Sequence, residues 1–322
     1  MKLAFDIMGG DHAPSAIIDG ALDFAKAYPH EEIILVGLPC VLEALTALPA
    51  NVSPLACGSV MAMDEDVRNL MRKKDSSIWT ATELVKTKEA DAIISAGSTG
   101  AQMAAATLLL ARIKGCERPA IASALPTLDG GKLFLDVGAN ADCTPSMLLS
   151  FAKMGAVYAE ELLNFTNPRI VLLANGTEAH KGNKLIQDAY ALIKDSGLNF
   201  SGNKEGRDIL VGDYEVMVCD GMSGNIAIKS IEGAVSIIMG MLKQELTSSL
   251  KSKLGAALIR DNLYRIKKAF DQDEVGGAPL LGIKGISIVC HGSSKAKSIF
   301  SAAQLARKCF ESDFVNKLES AL

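Results

Sequence analysis

Short apolar runs alternate with amphipathic stretches from the first residues of the chain. Leu3 to Met8 predicts a strand, Pro14 to Ala27 a helix, Ile33 to Val36 a second strand and Val41 to Leu48 a second helix. This is the rhythm of βαβ units, in which helices cover both faces of a mainly parallel sheet. Asn51 to Ala56 predicts a further strand and Met63 to Lys73 a polar helix, while Ser76 or Ser77 is placed to cap a helix reaching about Lys88. Ala92 to Ser95 reads as a short buried strand, and Gly97 to Gly100 opens a small-residue helix to about Arg112. Pro119 to Leu125 and Leu133 to Val137 read as strands joined by the turn Asp129-Gly130-Gly131, a hairpin signal that makes the sheet mixed.

The second half keeps the alternation and then departs from it. Pro145 sits at the first turn of a helix to about Asn164, with Thr144 as its N-cap. Arg169 to Leu173 is a strand and Lys184 to Asp195 a helix, and Phe200 to Val211 is an irregular or edge stretch. Val216 to Cys219 is a buried strand that breaks into the polar loop Asp220 to Asn225 and then a helix. From Ile226 to Phe270 the pattern is helical only: Ile231, Val235, Ile238, Leu242 and Leu246 form one stripe, and Leu254, Leu258, Ile266 and Phe270 another. Gly276 to Gly282, a strand Ile286 to Cys290 and a last helix close the chain. The expectation is a single three-layer αβα unit over residues 1–322, with a mainly parallel mixed sheet. Two lobes share one cleft, and a helical hairpin lies at about 233–270.

Composition narrows the class. The chain has 322 residues, 49% of them hydrophobic, enough for a large core. A net charge of −4 argues against general nucleic-acid binding, which needs a basic excess or stripe. The seven cysteines are scattered without a C-x-x-C pair and read as reduced, small apolar residues of a cytoplasmic protein. The chain opens directly into a strand, so a secretory signal is not expected, and no run approaches the roughly 20 apolar residues of a membrane span, the best being Ala104 to Ala111. Lying on a membrane surface stays open.

The loops after the strands carry the chemistry. Small polar and glycine-rich segments recur at Gly9-Gly10-Asp11-His12, Gly97-Ser98-Thr99-Gly100, Asp136 to Asn140, Asn175-Gly176-Thr177, Asp220-Gly221-Met222-Ser223-Gly224-Asn225 and His291-Gly292-Ser293. Loops at the carboxyl ends of strands line one crevice in an open α/β sheet, and glycine lets backbone approach a ligand. Repeated loops of this kind suit an anionic substrate, although each taken singly is also an ordinary tight turn. The histidines and carboxylates lack metal-ligand spacing and the Gly-x-Gly-x-x-Gly fingerprint is absent, so neither metal nor dinucleotide cofactor is expected.

The strings FDIMGGDHAP, SAGSTGA, LDVGAN, NGTEAHKGN, DGMSGNIAIK, GGAPLLG and HGSS stand in the order seen in the bacterial phosphate acyltransferases of phospholipid synthesis, and the chain resembles that family from residue 2 to about 300. Ser98 stands where the family commonly has Asn, Met222 where it has Phe, and His180 where it has an acidic residue. The resemblance implies a fold like that of the isocitrate and isopropylmalate dehydrogenase and phosphotransacetylase group. It also implies transfer of an acyl group from acyl carrier protein to inorganic phosphate, and homodimers.

Under that reading phosphate is itself the nucleophile, and donors preorganised around phosphate and oxyanion carry the rate. Lys181 is the leading phosphate-facing cation and Lys229 the second, each with an exposed surface lysine as the alternative. Asn225 either donates to the oxyanion or caps its helix. His12 and His291 either orient phosphate and protonate the leaving sulfur or serve the structure. Gly9, Gly10, Asp11, Gly97, Ser98, Thr99, Gly100, Asn140, Gly176, Thr177, Asp220, Gly221, Ser223 and Gly224 complete the expected substrate-binding set. A basic cluster at Lys251, Lys253, Arg260, Lys267 and Lys268 offers a face to acidic acyl carrier protein, to an anionic membrane or to the membrane glycerol-phosphate acyltransferase that receives the product. Two rivals remain at this stage, a metal-dependent dehydrogenase of the related fold and a non-catalytic scaffold that recruits lipid enzymes.

Overall fold

A computed structural model describes residues 1–125, 131–269 and 276–322, the side chains of 267–269 excepted. The turn residues Asp129 and Gly130, the side chains of Lys267 and Lys268, and Phe270 therefore lie outside the described residues. The order begins β1 (Lys2–Asp6), α1 (Ser15–Ala27), β2 (Glu32–Gly37), α2 (Pro39–Leu42), β3 (Val52–Ala56), α3 (Ser77–Lys86), β4 (Ala92–Ser95), α4 (Thr99–Leu109), β5 (Ala120–Leu125) and β6 (Lys132–Leu135). It continues through α5 (Pro145–Glu161), β7 (Ile170–Leu173), α6 (Lys184–Lys194), β8 (Phe200–Lys204), β9 (Val216–Val218) and α7 (Gly221–Thr247). Helices α8 (Leu250–Leu258) and α9 (Arg260–Ala269), strands β10 (Ala278–Leu281) and β11 (Ile286–Val289), and helices α10 (Ala296–Glu311) and α11 (Phe314–Ala321) complete it.

Among the described residues one sheet of eleven strands runs β3-β2-β1-β4-β11-β10-β5-β6-β9-β7-β8. It is mainly parallel; β10 pairs antiparallel with β11 and β5, and β5 antiparallel with β6. These reversals make β1, β4 and β11 run one way and β6, β9 and β7 the other. The register then decides where their ends fall. Pro279 is level with Ile288, the next residue Leu280 with Ile121, and Ala122 with Leu135. The carboxyl ends of β11 and β6 therefore reach nearly the same height from opposite directions, and the loops that follow both half-sheets meet there.

Side-chain alternation along the strands sorts the core. Leu3, Phe5, Leu133, Leu135, Val216 and Val218 point into one cluster that is continuous across the whole sheet under α1, α5 and α10. On the opposite face the core is divided: Ala4, Ile93 and Ile121 belong to a second cluster under α3 and α4, while Phe134, Met217 and Leu125 belong to a third. Burying one such aliphatic side chain contributes about 1.5–3 kcal/mol. The seam between the second and third clusters is where a cavity opens.

Local chemistry explains where the elements differ from the hydrophobic pattern. The helix expected over 41–48 is a single turn, begun by Pro39 and unable to continue through Ala47, whose φ is 58°. The helix expected over 63–73 is a 3₁₀ turn at Val67–Arg72, where the Asp66 carboxylate accepts from Arg68 N at 2.8 Å. Thr144 caps α5 as expected, accepting from Met147 N at 3.2 Å. Over the segment expected as a helical hairpin the chain forms one long helix, α7, followed by two short ones; Asp220 caps α7 early and Ser249 starts α8 by accepting from Ser252 N. The expectation that no segment reaches membrane-spanning length is also corrected. Helix α7 has 27 residues and a window of mean hydropathy 1.4 with none of it buried, long and apolar enough by length and composition alone. Its inner face still serves the fold, since Ala227, Ile228 and Ile231 pack on the third core cluster.

Candidate active site

Two buried aspartates at strand ends hold the loops in place. Asp6, the last residue of β1, accepts from Ser95 Oγ at 2.8 Å and from Met8 N at 3.2 Å, and Ser95 Oγ accepts in turn from Gly97 N at 3.0 Å. Burial pushes the Asp6 carboxyl above its ordinary range, against hydrogen bonds from Ser77 and Ser95. Asp136, just past β6, accepts from the N–H groups of Ile121, Gly138 and Ala139 at 3.1, 3.3 and 3.1 Å and from Asn140 N at 2.7 Å. The Asn140 amide adds a bond to Asp136 Oδ2 at 2.9 Å and another to Pro119 O at 2.7 Å. Burial raises Asp136 too, with this fan of donors pulling it back.

The loop built by Asp136 seats the start of α7. Gly221 N donates to Asn140 O at 2.7 Å, and Asp220 accepts from Ser223 N and from Ser223 Oγ, both at 2.8 Å. Gly224 N donates to Asp220 O at 2.9 Å, and a side-chain carbon at Gly224 would collide with the Asp136 carbonyl oxygen. The N–H groups of Gly221, Ser223 and Gly224 are thus spent inside the fold.

A cavity of about 720 Å³ lies between the loops of the two half-sheets. Of the residues expected to bind substrate or catalyse, Asp11, Gly97, Thr99, Asn225, Lys229 and His291 line it together. Lys181, His12, Gly176 and Thr177 are not on its wall. Lys181 lies against Gly176 in the loop after β7, and His12 is exposed with its carbonyl accepting from Ser15 Oγ. Asn140 is buried with its amide hydrogens engaged within the fold. Gly9 packs against Gly97 and Gly10 against Ala96 and Gly292, Gly100 faces Val67, and Ser98 caps α4. These positions shape the loops from behind.

The polar wall centres on Lys229. Its Nζ is 2.8 Å from Glu232 Oε2 and 3.2 Å from His291 Nε2. On the other side of the ring, Nδ1 accepts from Ser293 N at 3.2 Å and lies 2.7 Å from Ser293 Oγ. A lysine, a carboxylate and an imidazole thus share one corner of the cavity, reached from α7 on one side and from the loop after β11 on the other.

Other chemistries find less support. Burial pushes the Cys290 thiol up to about 12 and Cys219 well above its ordinary value, so neither is a thiolate nucleophile near neutral pH. Among the described residues no group of three or more His, Cys, Asp or Glu side chains could hold a metal ion. Glu232 and Ser236 also line the cavity and were missed by the sequence reading. Their signal was present: Asn225, Lys229, Glu232 and Ser236 form a polar stripe at four-three-four spacing within an apolar helix.

Residues 1–317 match the family described as Fatty acid synthesis protein. The phosphate acyltransferase of Heliobacterium modesticaldum is 48% identical over 325 residues, covering 99% of this chain and 97% of that protein. The phosphate acyltransferase of Desulfitobacterium hafniense is 49% identical over 327 residues, covering 100% and 98%. Among solved structures, a phosphotransacetylase from Streptococcus pyogenes superposes with a TM-score of 0.63 at 15% identity, over 96% of this chain and 94% of that one. A branched-chain phosphotransacylase from Enterococcus faecalis gives 0.57 at 13% identity, over 96% and 98%. The structures share the α/β fold with its mainly parallel mixed sheet, and the full-length sequence matches carry the identity: the chain belongs to the phosphate acyltransferases of the fatty acid synthesis protein family.

Proposed function

We propose that the chain transfers a long-chain acyl group from acyl carrier protein to inorganic phosphate, giving acyl phosphate and free carrier protein for phospholipid synthesis. The observation that supports this reading is the corner where Lys229 meets His291 at the edge of a largely apolar cavity. In the proposed reaction Lys229 holds hydrogen phosphate, whose oxygen attacks the thioester carbonyl carbon. Asn225 and neighbouring donors stabilise the oxyanion. As the new C–O bond forms and the C–S bond breaks, the phosphate proton passes through His291 Nε2 to the departing thiolate, so charge and atoms balance. The two half-sheets act as two lobes about the cavity, which lets the partners approach from one side.

The test is release of carrier-protein thiol from a long-chain acyl thioester with and without phosphate. Release that requires phosphate supports the reading; equal release in both, or none, sinks it.

We further propose a cytoplasmic homodimer that touches acidic surfaces. Ile237, Ile238 and Met241 on α7 are each more than half exposed, and Leu254 and Leu258 on α8 are 70% and 88% exposed. A second copy covers the α7 face, while Lys251, Lys253 and Arg260 beside the α8 leucines meet carrier protein or anionic membrane. Sedimentation equilibrium of the full chain decides the first part, and a monomer at micromolar concentration rules it out.

A further inference from the structure

We infer that the apolar wall of the cavity, Leu125 on β5, Leu210, and Ile228, Ile231 and Val235 on α7, holds the hydrocarbon tail of the acyl donor, and that Ile231 and Val235 set the length of tail accepted. This rests on the acyl transfer proposed above and adds to it the residues that choose the donor.

Spacing on α7 carries the argument. Ile228, Ile231 and Val235 follow one another by three and four residues and so form one stripe of the helix. Asn225, Lys229, Glu232 and Ser236 form a second stripe beside it, and both stripes line the same cavity. The helix thus presents the charged corner and an apolar track side by side. Opposite the apolar track, β5 supplies Ile121 and Leu125, both buried, and Leu210 adds a side chain from the segment before β9. The track from Ile228 to Val235 spans roughly 10 Å of helix axis. A phosphate ion needs no such extent, and an aqueous ligand gains nothing from a wall of this composition. A linear chain attached to a carbonyl held beside Lys229 matches both the direction and the chemistry of the track.

The walls differ in how freely they can change. Leu125 belongs to the third core cluster, and Leu210, Ile228 and Ile231 pack at its edge, whereas Val235 is only partly buried and lies outside that cluster. A bulky ring at Val235 shortens the track from its far end without emptying the core. A ring at Ile231 shortens it further.

The experiment compares phosphate-dependent transfer from octanoyl and hexadecanoyl carrier protein by the unaltered chain, Val235→Trp, Ile231→Trp and Val235→Ala. Each methylene kept out of an apolar slot lowers transfer about fourfold, so the tryptophan variants are expected to lose at least about tenfold in hexadecanoyl kcat/KM relative to octanoyl. Val235→Ala is expected to move the preference toward the longer donor. Equal losses on both donors in a folded variant, or an unchanged ratio in all three, overturn the assignment. If a tryptophan variant loses its circular dichroism, the alanine variant alone decides. Failure of the unaltered chain with both donors strikes instead at the acyl transfer itself.

Discussion

Lys229 Nζ stands 3.2 Å from His291 Nε2, although 62 residues separate them in the chain. One sits on α7, the helix seated on the Asp136 loop, and the other in the loop after β11. The reversal of strand direction at β10 and β5 is what brings these two parts of the sheet to one level. The far side of the imidazole is held as well, with Nδ1 3.2 Å from Ser293 N and 2.7 Å from Ser293 Oγ.

Replacing Lys229 by Met is therefore expected to raise the KM for phosphate, with a loss on the order of 1.5–3 kcal/mol in kcat/KM, the value of a hydrogen bond to a charged group. His291→Gln is expected to lower kcat more than it changes phosphate KM. The double variant is expected to lose less than the two single losses together, since the groups act through one contact. Lys181→Ala, off the cavity wall, is expected to change phosphate KM less than Lys229→Met. Steady-state kinetics over a range of phosphate concentrations separate these cases; the reverse ranking of the two lysines returns Lys181 to the leading place.

Asp136 is expected to matter for folding as much as for rate. Removing its carboxylate leaves the N–H groups of Ile121, Gly138, Ala139 and Asn140 without their acceptor, and unpaired buried donors are costly. Asp136→Ala is expected to cost at least about 3 kcal/mol. Ser98→Ala removes one cap bond to Ala101 N and is expected to cost about 1 kcal/mol or less. Urea titration of both variants measures the difference, and similar midpoints would show that water replaces the missing acceptor.

The alternation of runs reads through to the sheet because strands such as Ala92–Ser95, buried at every position, are apolar up to the serine that ends them. Thr144 and Pro145 announce α5 for the same kind of reason, since capping is a local act. What no local pattern carries is the strand order, in which β10 and β5 join two half-sheets through a register of a few residues. That register decides which glycine loops reach the cavity. Lys181 and Lys229 look alike in sequence, each a lysine in or after a polar glycine loop; only their strands' positions separate them. Asp136 and Asn140 have the composition of ligand-binding residues, and the bonds between the Asp136 carboxylate and the Asn140 N–H groups, legible only in the fold, tie them to one another.

Arg169 gives a pH dependence with a definite sign. Its guanidinium bonds Glu215 through Nε at 3.1 Å and Nη2 at 2.6 Å, its backbone N bonds the same carboxylate at 2.6 Å, and Asp213 is a further partner. The hydrogen bonds from Arg169 hold the Glu215 carboxyl below its usual value near 4.5. A depressed carboxylate stabilises the fold above its unfolded value, and that contribution is lost as the pH falls through the folded one. The pair is partly solvated, so Arg169→Met is expected to cost only about 1 kcal/mol at neutral pH. The gap between variant and unaltered chain is expected to narrow as the pH drops below 4.5. Urea titrations at several pH values measure it, and a gap independent of pH would assign the loss to packing of the arginine stem.

The last prediction concerns the face that the single chain leaves open. Under the proposed acyl transfer the donor rides on an acidic carrier protein and the product goes on to a membrane enzyme, so a surface combining exposed leucines with lysines would serve either encounter. Leu250, Leu254 and Leu258 are 81%, 70% and 88% exposed, and Lys251, Lys253 and Arg260 stand exposed beside them on α8 and at the start of α9. Asp261 lies 3.7 Å from the Arg260 guanidinium, which offsets only part of that cluster's charge. Reversing Lys251, Lys253 and Arg260 to Glu is expected to raise the KM for acyl carrier protein, to reduce sedimentation with anionic vesicles, or both. It should leave the KM for phosphate unchanged, because none of the three lines the cavity. Each effect is expected to fade as salt is added, since exposed charges are screened within about 10 Å at 0.1 M ionic strength. Unchanged carrier-protein kinetics and unchanged vesicle binding at low salt would place the partner surface elsewhere on the chain and leave α8 with a purely structural charge pattern.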